Sequence, residues 1–333
     1  MQEEIYLNLI RNGEMKMKGI VKRLPLPIVG LMLALGATGN LVLSYGEVYR
    51  NIFGILSAII LVLVLLKIII YPKEVAQDLE NPVVASVLPT LSMGIMILAT
   101  YVKPFAPSLG FGIWMIGLIL HAVLIIYFTK NYVFNFNIKK VFPSWFIVYV
   151  GIVVGSVTAP VFNMIKIGQV LFWFGLASYF ILLPVILKRT FKVKEIPEPA
   201  LPTIVILSAP VSLCLAGYIN SFPEKNMYLL WILVGLSQLT LLYILTQLPK
   251  LFKLKFYPSY SAFTFPIVIS ALSLKLTNGF LTKIEKPVAI LKYLVKLEEA
   301  LAIGIVLYVL FRYISFLLVN KETVKPIIQK EKQ

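Results

Sequence analysis

Residues 257–266 read Tyr-Pro-Ser-Tyr-Ser-Ala-Phe-Thr-Phe-Pro, and the two prolines of this stretch belong to a pattern that repeats along the chain. Pro258 opens a membrane-length apolar run, and Pro266 follows eight residues later inside the run. The same arrangement occurs five times along the chain. The opening prolines are Pro27, Pro82, Pro143, Pro202 and Pro258, at intervals of 55 to 61 residues. A repeat of this length predicts a repeated supersecondary unit, here a helical hairpin.

The composition is typical of a membrane protein. Of the 333 residues, 59% are hydrophobic and 14% are charged, and the mean hydropathy is +0.89. A soluble domain needs more polar surface than this balance provides, whereas a helix of about 20 apolar residues spans a bilayer. We predict ten spans, at 27–46, 49–71, 82–102, 108–130, 143–161, 163–188, 201–220, 226–248, 258–277 and 289–319.

The basic residues are distributed unevenly across the predicted membrane. The chain has 31 Lys and Arg and a formal net charge of +16. The side of the two tails has 22 of them, and the other side has nine: Arg50, Lys103, Lys166, Lys225, Lys275, Lys283, Lys286, Lys292 and Lys296. Because basic loops stay cytoplasmic, we predict cytoplasmic tails at 1–24 and 320–333, a pore domain at 25–319, and a location in the plasma (inner) membrane. This topology accounts for the charge, and we predict no nucleic-acid partner.

The two members of each hairpin differ in polarity. The odd-numbered spans contain 18 Ser and Thr residues, and the even-numbered spans contain fewer than half as many. A hydroxyl gains little against lipid but finds hydrogen bonds beside water or a close helix. We therefore predict an all-α membrane protein of five tandem helical hairpins, with an inner ring of odd helices around a central pore and an outer ring of even helices. The alternative is that the small residues only permit tight packing.

A helix-weakening residue follows each opening proline by seven to nine positions. These residues are Gly36, Pro89, Gly151, Pro210 and Pro266. Proline removes a helix hydrogen bond and kinks or breaks the helix, so bends at one depth would form a waist in the pore. The amino terminus of a broken helix favours anions, although unwound carbonyls would equally suit a cation. Bends that only accommodate packing are the other alternative.

Hydroxyl side chains near these bends are the candidates to line the pore. They are Ser86, Thr90, Ser156, Ser208, Ser212, Ser261 and Thr264. We place the charged cluster of Lys292, Lys296, Glu298 and Glu299 in a solvated turn at the start of the last span, with a solvated vestibule rim or a subunit contact as the alternatives. The spans then lack Asp, Glu and Arg outside their terminal turns, which disfavours a proton-coupled carrier and a cation channel. His121 is the one central titratable residue, and we expect it to be packed and hydrogen-bonded.

The sequence contains no metal-binding, nucleotide-binding or paired catalytic motif. We therefore predict no enzyme activity, no catalytic residue, no cofactor and no metal site. The single cysteine, Cys214, lies within a span and is expected to serve packing.

The stretch from Tyr257 to Pro266 resembles the ninth helix of the tellurite-resistance/dicarboxylate transporter family, which includes TehA-type proteins of bacteria and the slow anion channels of plant guard cells. Shorter matches are Pro25-Leu26-Pro27, Asn81-Pro82, Pro143-Ser144 and Ser208-Ala209-Pro210. The order and spacing of these motifs carry the resemblance, which covers roughly residues 22–318.

The resemblance implies ten helices in five hairpins, a pore inside each protomer and a homotrimer. It also implies that Phe265 is an aromatic gate that plugs the pore. The first helix of the family often reads Phe-Gly-Ile-x-Leu-Gly, with a small residue against the gate. Here the stretch is Leu31-Met32-Leu33-Ala34-Leu35-Gly36, so Met32 joins the pore-lining candidates and we expect a reshaped gate pocket.

Together these features predict a channel in the lipid bilayer that conducts small anions passively, of the chloride, nitrate, sulfite or dicarboxylate class, and is gated by Phe265. The alternative is a secondary transporter or exporter of tellurite, sulfite or C4-dicarboxylates. A carrier of that kind would show saturable flux that responds to a proton gradient.

Overall fold

The protein is built from long helices. The computed structural model describes residues 18–319, with side chains through residue 318, and in that range ten helices are long and apolar enough to cross a membrane. They are α1 Leu26–Tyr45, α2 Glu47–Ile70, α3 Pro82–Val102, α4 Pro107–Val133, α5 Trp145–Phe162, α6 Ile165–Val193, α7 Glu198–Ser221, α8 Met227–Leu251, α9 Pro258–Lys283 and α10 Leu291–Leu318. The described residues contain no strand. The predicted all-α fold with ten spans is therefore confirmed.

Residues 1–17 and 320–333 lie outside the described residues. The carboxyl-terminal tail falls entirely in that part, so the division into two tails and a pore domain stays a prediction. A short helix, Pro72–Asp78, joins α2 to α3.

The predicted spans and the helices agree closely, with the largest differences at the ends of α6 and α9. Helix α6 continues to Val193 through a π-helical turn, Lys188–Val193, and α9 continues to Lys283. Hydropathy marks where the apolar stretch ends, whereas backbone hydrogen bonds decide where the helix ends. At the end of α9 the amide of Ile284 still donates to the Phe280 carbonyl oxygen.

Burial alternates along the chain. Between 67% and 89% of the most apolar stretch of each odd-numbered helix is buried inside the protein, against 22% to 33% for the even-numbered helices. Large apolar side chains such as Ile69, Ile126 and Ile181 are exposed on the even helices. Such faces are stable in lipid, where an apolar surface needs no protein cover.

The helix contacts follow the same alternation. Each odd helix packs against the even helix that follows it, so every consecutive pair forms a hairpin contact. Each odd helix also packs against the next odd helix, and α9 packs against α1. The contacts α1–α3–α5–α7–α9–α1 thus link the odd helices in a closed circuit, and each even helix packs against the odd helix that precedes it.

The odd helices change backbone geometry partway along their length. In α7 a 3₁₀ segment, Glu198–Ser208, precedes the α-helical part, and in α9 the 3₁₀ segment is Pro258–Phe263. In α3 and α5 a turn separates two α-helical parts. Because 3₁₀ runs longer than three or four residues are uncommon, the eleven-residue segment in α7 is unusual. It contains Pro202 and ends just before Pro210, which together limit α-helical hydrogen bonding.

Candidate ion pathway

A central cavity lies between the amino-terminal halves of the five odd helices. Its volume is about 50 Å³. Among the described residues its lining comes from odd helices alone. The lining residues are Pro27 and Gly30 of α1; Val83, Val87, Thr90 and Met93 of α3; Phe146, Ile147, Val150 and Gly151 of α5; Thr203, Ile206, Ala209, Pro210 and Leu213 of α7; and Ser259, Ser261, Ala262, Phe265 and Pro266 of α9. The closed circuit of odd helices therefore surrounds this space, hereafter the inner cavity.

A second, smaller cavity lies farther along the same helices. Its volume is about 20 Å³, and we call it the outer cavity. Its lining again comes from all five odd helices: Ala37, Asn40, Ile97, Val154, Val157, Thr158, Leu213, Phe265, Ile269 and Leu272. Apart from the residues that line both cavities, the outer-cavity residues of each helix come after its inner-cavity residues in sequence, so the two cavities follow one another along the bundle.

Two side chains belong to both cavities. They are Leu213 of α7 and Phe265 of α9, and within the described residues the two linings share no other side chain. Phe265 is 6% exposed. Leu213 and Phe265 therefore lie where the two cavities meet, and both side chains are apolar.

The backbone around Phe265 is shaped by its neighbours in sequence. Phe265 is the first residue of the α-helical part of α9 and is separated from the 3₁₀ segment by Thr264 alone, and Pro266 takes the next position. Thr264 Oγ1 donates a hydrogen bond to the Ser261 carbonyl oxygen at 2.6 Å. Because Pro266 lacks an amide hydrogen, the helix restarts at this point and the phenyl ring lies at the junction of the two geometries.

Helix α1 comes very close to α9 on the inner-cavity side. A Cβ atom at Gly30 would lie 3.1 Å from both Cβ and Oγ of Ser261, and Thr264 Oγ1 donates weakly to the Gly30 carbonyl oxygen at 3.4 Å. A larger residue at position 30 would push α9 away. Gly30 therefore fixes the distance between α1 and the helix that carries Phe265.

The structure brings together only part of the predicted set of lining residues. Phe265, Gly151, Pro210, Pro266, Thr90 and Ser261 line the inner cavity. Gly36, Pro89, Met32, Ser86, Ser156, Ser208, Ser212 and Thr264 line neither cavity.

The hydroxyls outside the cavities hold helices together. Ser86 Oγ lies 2.6 Å from Ser144 Oγ between α3 and α5, and Ser212 Oγ lies 2.8 Å from Ser237 Oγ between α7 and α8. Ser156 Oγ donates to Ser221 Oγ at 3.1 Å. These residues therefore follow the alternative interpretation in which small polar residues serve close packing.

Two further hydroxyls bond within their own helices. Ser208 Oγ donates to the Val205 carbonyl oxygen at 3.0 Å, and Thr264 bonds to Ser261 as described above. Bonds of this kind to a carbonyl three residues earlier satisfy a Ser or Thr hydroxyl without any external partner. A high content of Ser and Thr in a helix therefore does not show which part of the helix faces water.

Met32 packs against α3. An added Cβ at Gly94 would lie 2.2 Å from Met32 Cε, so the methionine side chain fills the space that Gly94 leaves open. Met32 is fully buried, and its carbonyl oxygen accepts a hydrogen bond from Ser57 Oγ at 2.7 Å. The flexible thioether chain suits such a gap.

The helix-weakening residues differ in what they do. A turn occurs at Pro89 and another at Gly151, while Pro210 and Pro266 lie in the first turn of the α-helical parts of α7 and α9. Gly36 lies inside an uninterrupted α-helix, Val29–Val42. In α1 the change from 3₁₀ to α-helix comes earlier, at Ile28. Gly36 instead admits Ile97, whose Cγ2 would lie 3.1 Å from a Cβ at this position.

His121 is enclosed and fully partnered. Its Nδ1 lies 2.8 Å from Ser92 Oγ and its Nε2 lies 3.1 Å from the Val148 carbonyl oxygen. Both ring nitrogens are thereby satisfied, as expected for a packed histidine, and the residue lines neither cavity.

The charged start of α10 corrects one expectation. Glu298 and Glu299 are 5% and 4% exposed, so neither lies in a solvated turn. Glu299 accepts hydrogen bonds from Lys275 Nζ at 2.5 Å and from Tyr45 OH at 2.9 Å. The hydropathy pattern did not predict this burial, because it averages residues along one helix. The burial and the hydrogen-bond partners of Glu299 come from other helices, α1 and α9.

Most of the other apolar lining residues were not predicted, and Leu213, which lines both cavities, is among them. Leu213 follows Pro210 by three residues, one helical turn, so the two face the same side. The same spacing of three or four occurs in α3 at Val83, Val87, Thr90 and Met93. This spacing is a sequence signal for one helix face, but a face of the same kind would also pack against protein.

Comparison with known proteins identifies the family. Residues 23–315 match the model of the SLAC1 family, described as voltage-dependent anion channel. The match covers nearly all of the helical bundle. The chain belongs to this family of anion channels.

One relative is consistent with that assignment. An uncharacterized transporter of Methanocaldococcus jannaschii is 26% identical, over 68% of this chain and 72% of the relative. Membership in the SLAC1 family, together with ten apolar helices, makes the protein a multi-pass membrane protein that transports anions. The resemblance stated from the sequence motifs is thereby confirmed.

Proposed function

We propose that the protein is a passive channel for small anions and that Phe265 is its gate. The observation that carries the proposal is the pair of cavities, each lined by all five odd helices, with Phe265 and Leu213 between them. The closed circuit of odd helices then acts as the inner ring of a pore, and the even helices act as a lipid-facing outer ring. An apolar constriction of this kind blocks ions sterically and by dewetting.

The electrostatics of the inner cavity favour anions. The α-helical parts of α3, α7 and α9 begin at Thr90, Ala209 and Phe265, and all three residues line the cavity. A helix amino terminus carries a positive partial charge of roughly half an elementary charge, so three of them at one depth attract an anion. The wall offers few other polar groups, which supports weak selectivity within the chloride, nitrate, sulfite and dicarboxylate classes.

The first experiment replaces Phe265 with alanine. We expect Phe265→Ala to raise the anion conductance of the purified protein in planar bilayers by about tenfold or more, because removing about 1.4 kcal/mol of barrier changes a rate tenfold. Chloride, nitrate, sulfite and malate are compared at matched concentrations. If the variant folds and conducts no better than the wild-type protein, the gate assignment fails.

A matched control lies two residues earlier. Phe263 is fully buried, lines neither cavity and packs against the rings of Phe252 and Tyr260. Phe263→Leu should leave conductance unchanged and lower only thermal stability. An equal rise in conductance from both variants would mean that loosened packing, not an opened gate, lets anions pass.

A secondary transporter is the second candidate function. The observation that favours it is the carboxyl group of Glu298, which is buried within the helical bundle. A channel gives currents that reverse at the Nernst potential of the anion, and a proton gradient does not shift this reversal potential. Saturable flux driven by a proton gradient, with no such reversal, would replace the channel by a carrier for tellurite, sulfite or C4-dicarboxylates.

Two further expectations stay proposals. A homotrimer is expected from the resemblance, and its measure is the mass of the detergent-solubilised protein. Cytoplasmic termini in the plasma (inner) membrane are expected from the basic loops, and labelling of single cysteines placed in the loops tests this orientation.

A further inference from the structure

Three polar groups meet where α8, α9 and α10 pack together. They are the carboxyl of Glu298, the hydroxyl of Ser270 and the side-chain amide of Gln238. Glu298 Oε2, Ser270 Oγ and Gln238 Nε2 are each buried and have no hydrogen-bond partner. Ser270 is fully buried and Glu298 nearly so. Buried polar groups are nearly always paired, and these three lie close enough to hydrogen-bond to one another.

This cluster lies deep in the bundle. Gln238 is near the middle of α8, which runs from Met227 to Leu251, and Ser270 is near the middle of α9, which runs from Pro258 to Lys283. The carboxyl of Glu298 meets both side chains and is itself buried. A buried carboxylate without a cation is much less stable than a carboxylate in water.

The neighbouring Glu299, in the same helix, has both a cation and a hydrogen-bond donor as partners. Lys275 of α9 and Tyr45 of α1 both donate to it. Lys275 also donates to the Leu41 carbonyl oxygen and to Ser44 Oγ, both at 2.7 Å, so its ammonium group is fully used. Glu299 thus has a cation of its own, and Glu298 has none.

The charged groups around the cluster leave Glu298 uncompensated. On α9 the nearest ionisable group is Lys275, which is paired with Glu299. Helix α8 presents the uncharged Gln238, and α10 contributes Glu299 beside Glu298 and the exposed Lys296 two residues before it. Tyr45 of α1 is bonded to Glu299. Within the described residues, therefore, no cation is shown paired with Glu298.

We propose that Glu298 is a proton-binding site whose charge state controls the gate on α9. A proton fits this site where a metal ion does not, since neither the inner nor the outer cavity is lined by Glu298, Ser270 or Gln238. Protonation removes the uncompensated charge. The new O–H can then donate to Ser270 Oγ or to the amide oxygen of Gln238.

Ser270 links the proton site to the gate. It lies five residues after Phe265 in the same uninterrupted α-helical part of α9, and Ile269 beside it lines the outer cavity. Loss of the proton leaves a negative charge against α9 and forces Ser270 and Gln238 to turn and donate to it. The link to conduction rests on the proposed function of Phe265, and ionisation of Glu298 favours the open gate.

The experiment measures anion conductance against pH on both sides of the bilayer. The wild-type conductance should rise with pH by about fivefold or more, the lower end of typical coupling between sites. Glu298→Gln keeps the shape and cannot lose a proton, so its conductance should stay at the low-pH level throughout. Glu224→Gln, at an exposed carboxyl, is the control and should behave like the wild-type protein. A flat wild-type curve, or an unchanged curve in Glu298→Gln, overturns the proposal.

A second measurement separates this proposal from the proposed function. Infrared difference spectra between wild-type protein and Glu298→Gln report the carbonyl band of a protonated carboxylic acid without any ion flux. The band should be present at low pH and vanish as pH rises; its absence at every pH overturns the proton site. If the band behaves as expected but Phe265→Ala does not conduct, the gate assignment fails and the proton site stands.

A positioning test uses Ser270→Ala. Removing a donor to the ionised carboxyl should move the pH midpoint of the infrared band upward by about one unit, as expected for a hydrogen bond to a charged group. A purely structural serine would change thermal stability and leave the midpoint in place. An unmoved midpoint therefore removes Ser270 from the site.

Discussion

The two halves of the odd helices differ in backbone and in the space between them. The amino-terminal halves contain the 3₁₀ segments of α7 and α9 and the turns of α3 and α5, and they surround the larger cavity. The carboxyl-terminal halves are regular α-helix in α3, α7 and α9, and they surround the smaller one. Irregular backbone at membrane depth is tolerated where it is enclosed by protein or lines a cavity. The comparison shows that the larger cavity lies beside the proline-containing halves of the helices and that Phe265 lies at its border with the smaller cavity.

Substitutions at the border between the two cavities should change conductance the most. After Phe265→Ala, the next largest change is expected from Leu213→Ala, because Leu213 is the other residue shared by both cavities. We expect conductance to rise about threefold, equivalent to under about 1 kcal/mol of barrier. Leu215→Ala, at a fully buried position that lines neither cavity, is the control and should lower stability alone. Equal conductance in the two leucine variants would show that the border is formed by Phe265 alone.

Restoring regular helix in the amino-terminal half tests the backbone directly. Pro210 prevents a hydrogen bond to the Ile206 carbonyl, which accepts instead from the amide of Ala209. Pro210→Ala permits α-helical bonding through this point and should narrow the inner cavity, so that conductance falls about threefold. The matched control is Pro184→Ala in the lipid-exposed part of α6, which should leave conductance unchanged. A fall in both variants would mean that the effect comes from general stiffening of the bundle.

The fold was largely predictable from the sequence because hydropathy and proline spacing are local signals that can be read along a single helix. Hydropathy located all ten spans, and the odd helices are distinguished by hydroxyls that cannot face lipid cheaply. Phe265 was a different case, since the chain has 21 phenylalanines and the resemblance to known anion channels singled this one out. Its place between two cavities is a tertiary feature.

The remaining site features depend on contacts between helices. Leu213 is one of many leucines, and its role depends on which face of α7 turns inward. Glu298 reads as part of a charged turn until α8 and α9 are packed against it. The hydroxyls failed as a guide for a local reason: a Ser or Thr in a helix can bond to a carbonyl three or four residues earlier, as Ser208 does.

Two hydroxyls provide the finest test of the difference between the cavity and the packed bundle. Thr90 lines the inner cavity, whereas Ser212 bonds to Ser237 between α7 and α8. Ser212→Ala should lower the stability of the detergent-solubilised protein by about 0.6 kcal/mol, the average for hydrogen bonds between membrane helices, with conductance unchanged. Thr90→Val should change conductance and leave stability unchanged, because it removes a polar group from the cavity wall and keeps the side-chain volume. Thermal unfolding and conductance of both variants decide the matter. If Ser212→Ala changes conductance as much as Thr90→Val, hydroxyls act through helix packing everywhere, and the cavity wall has no polar role of its own.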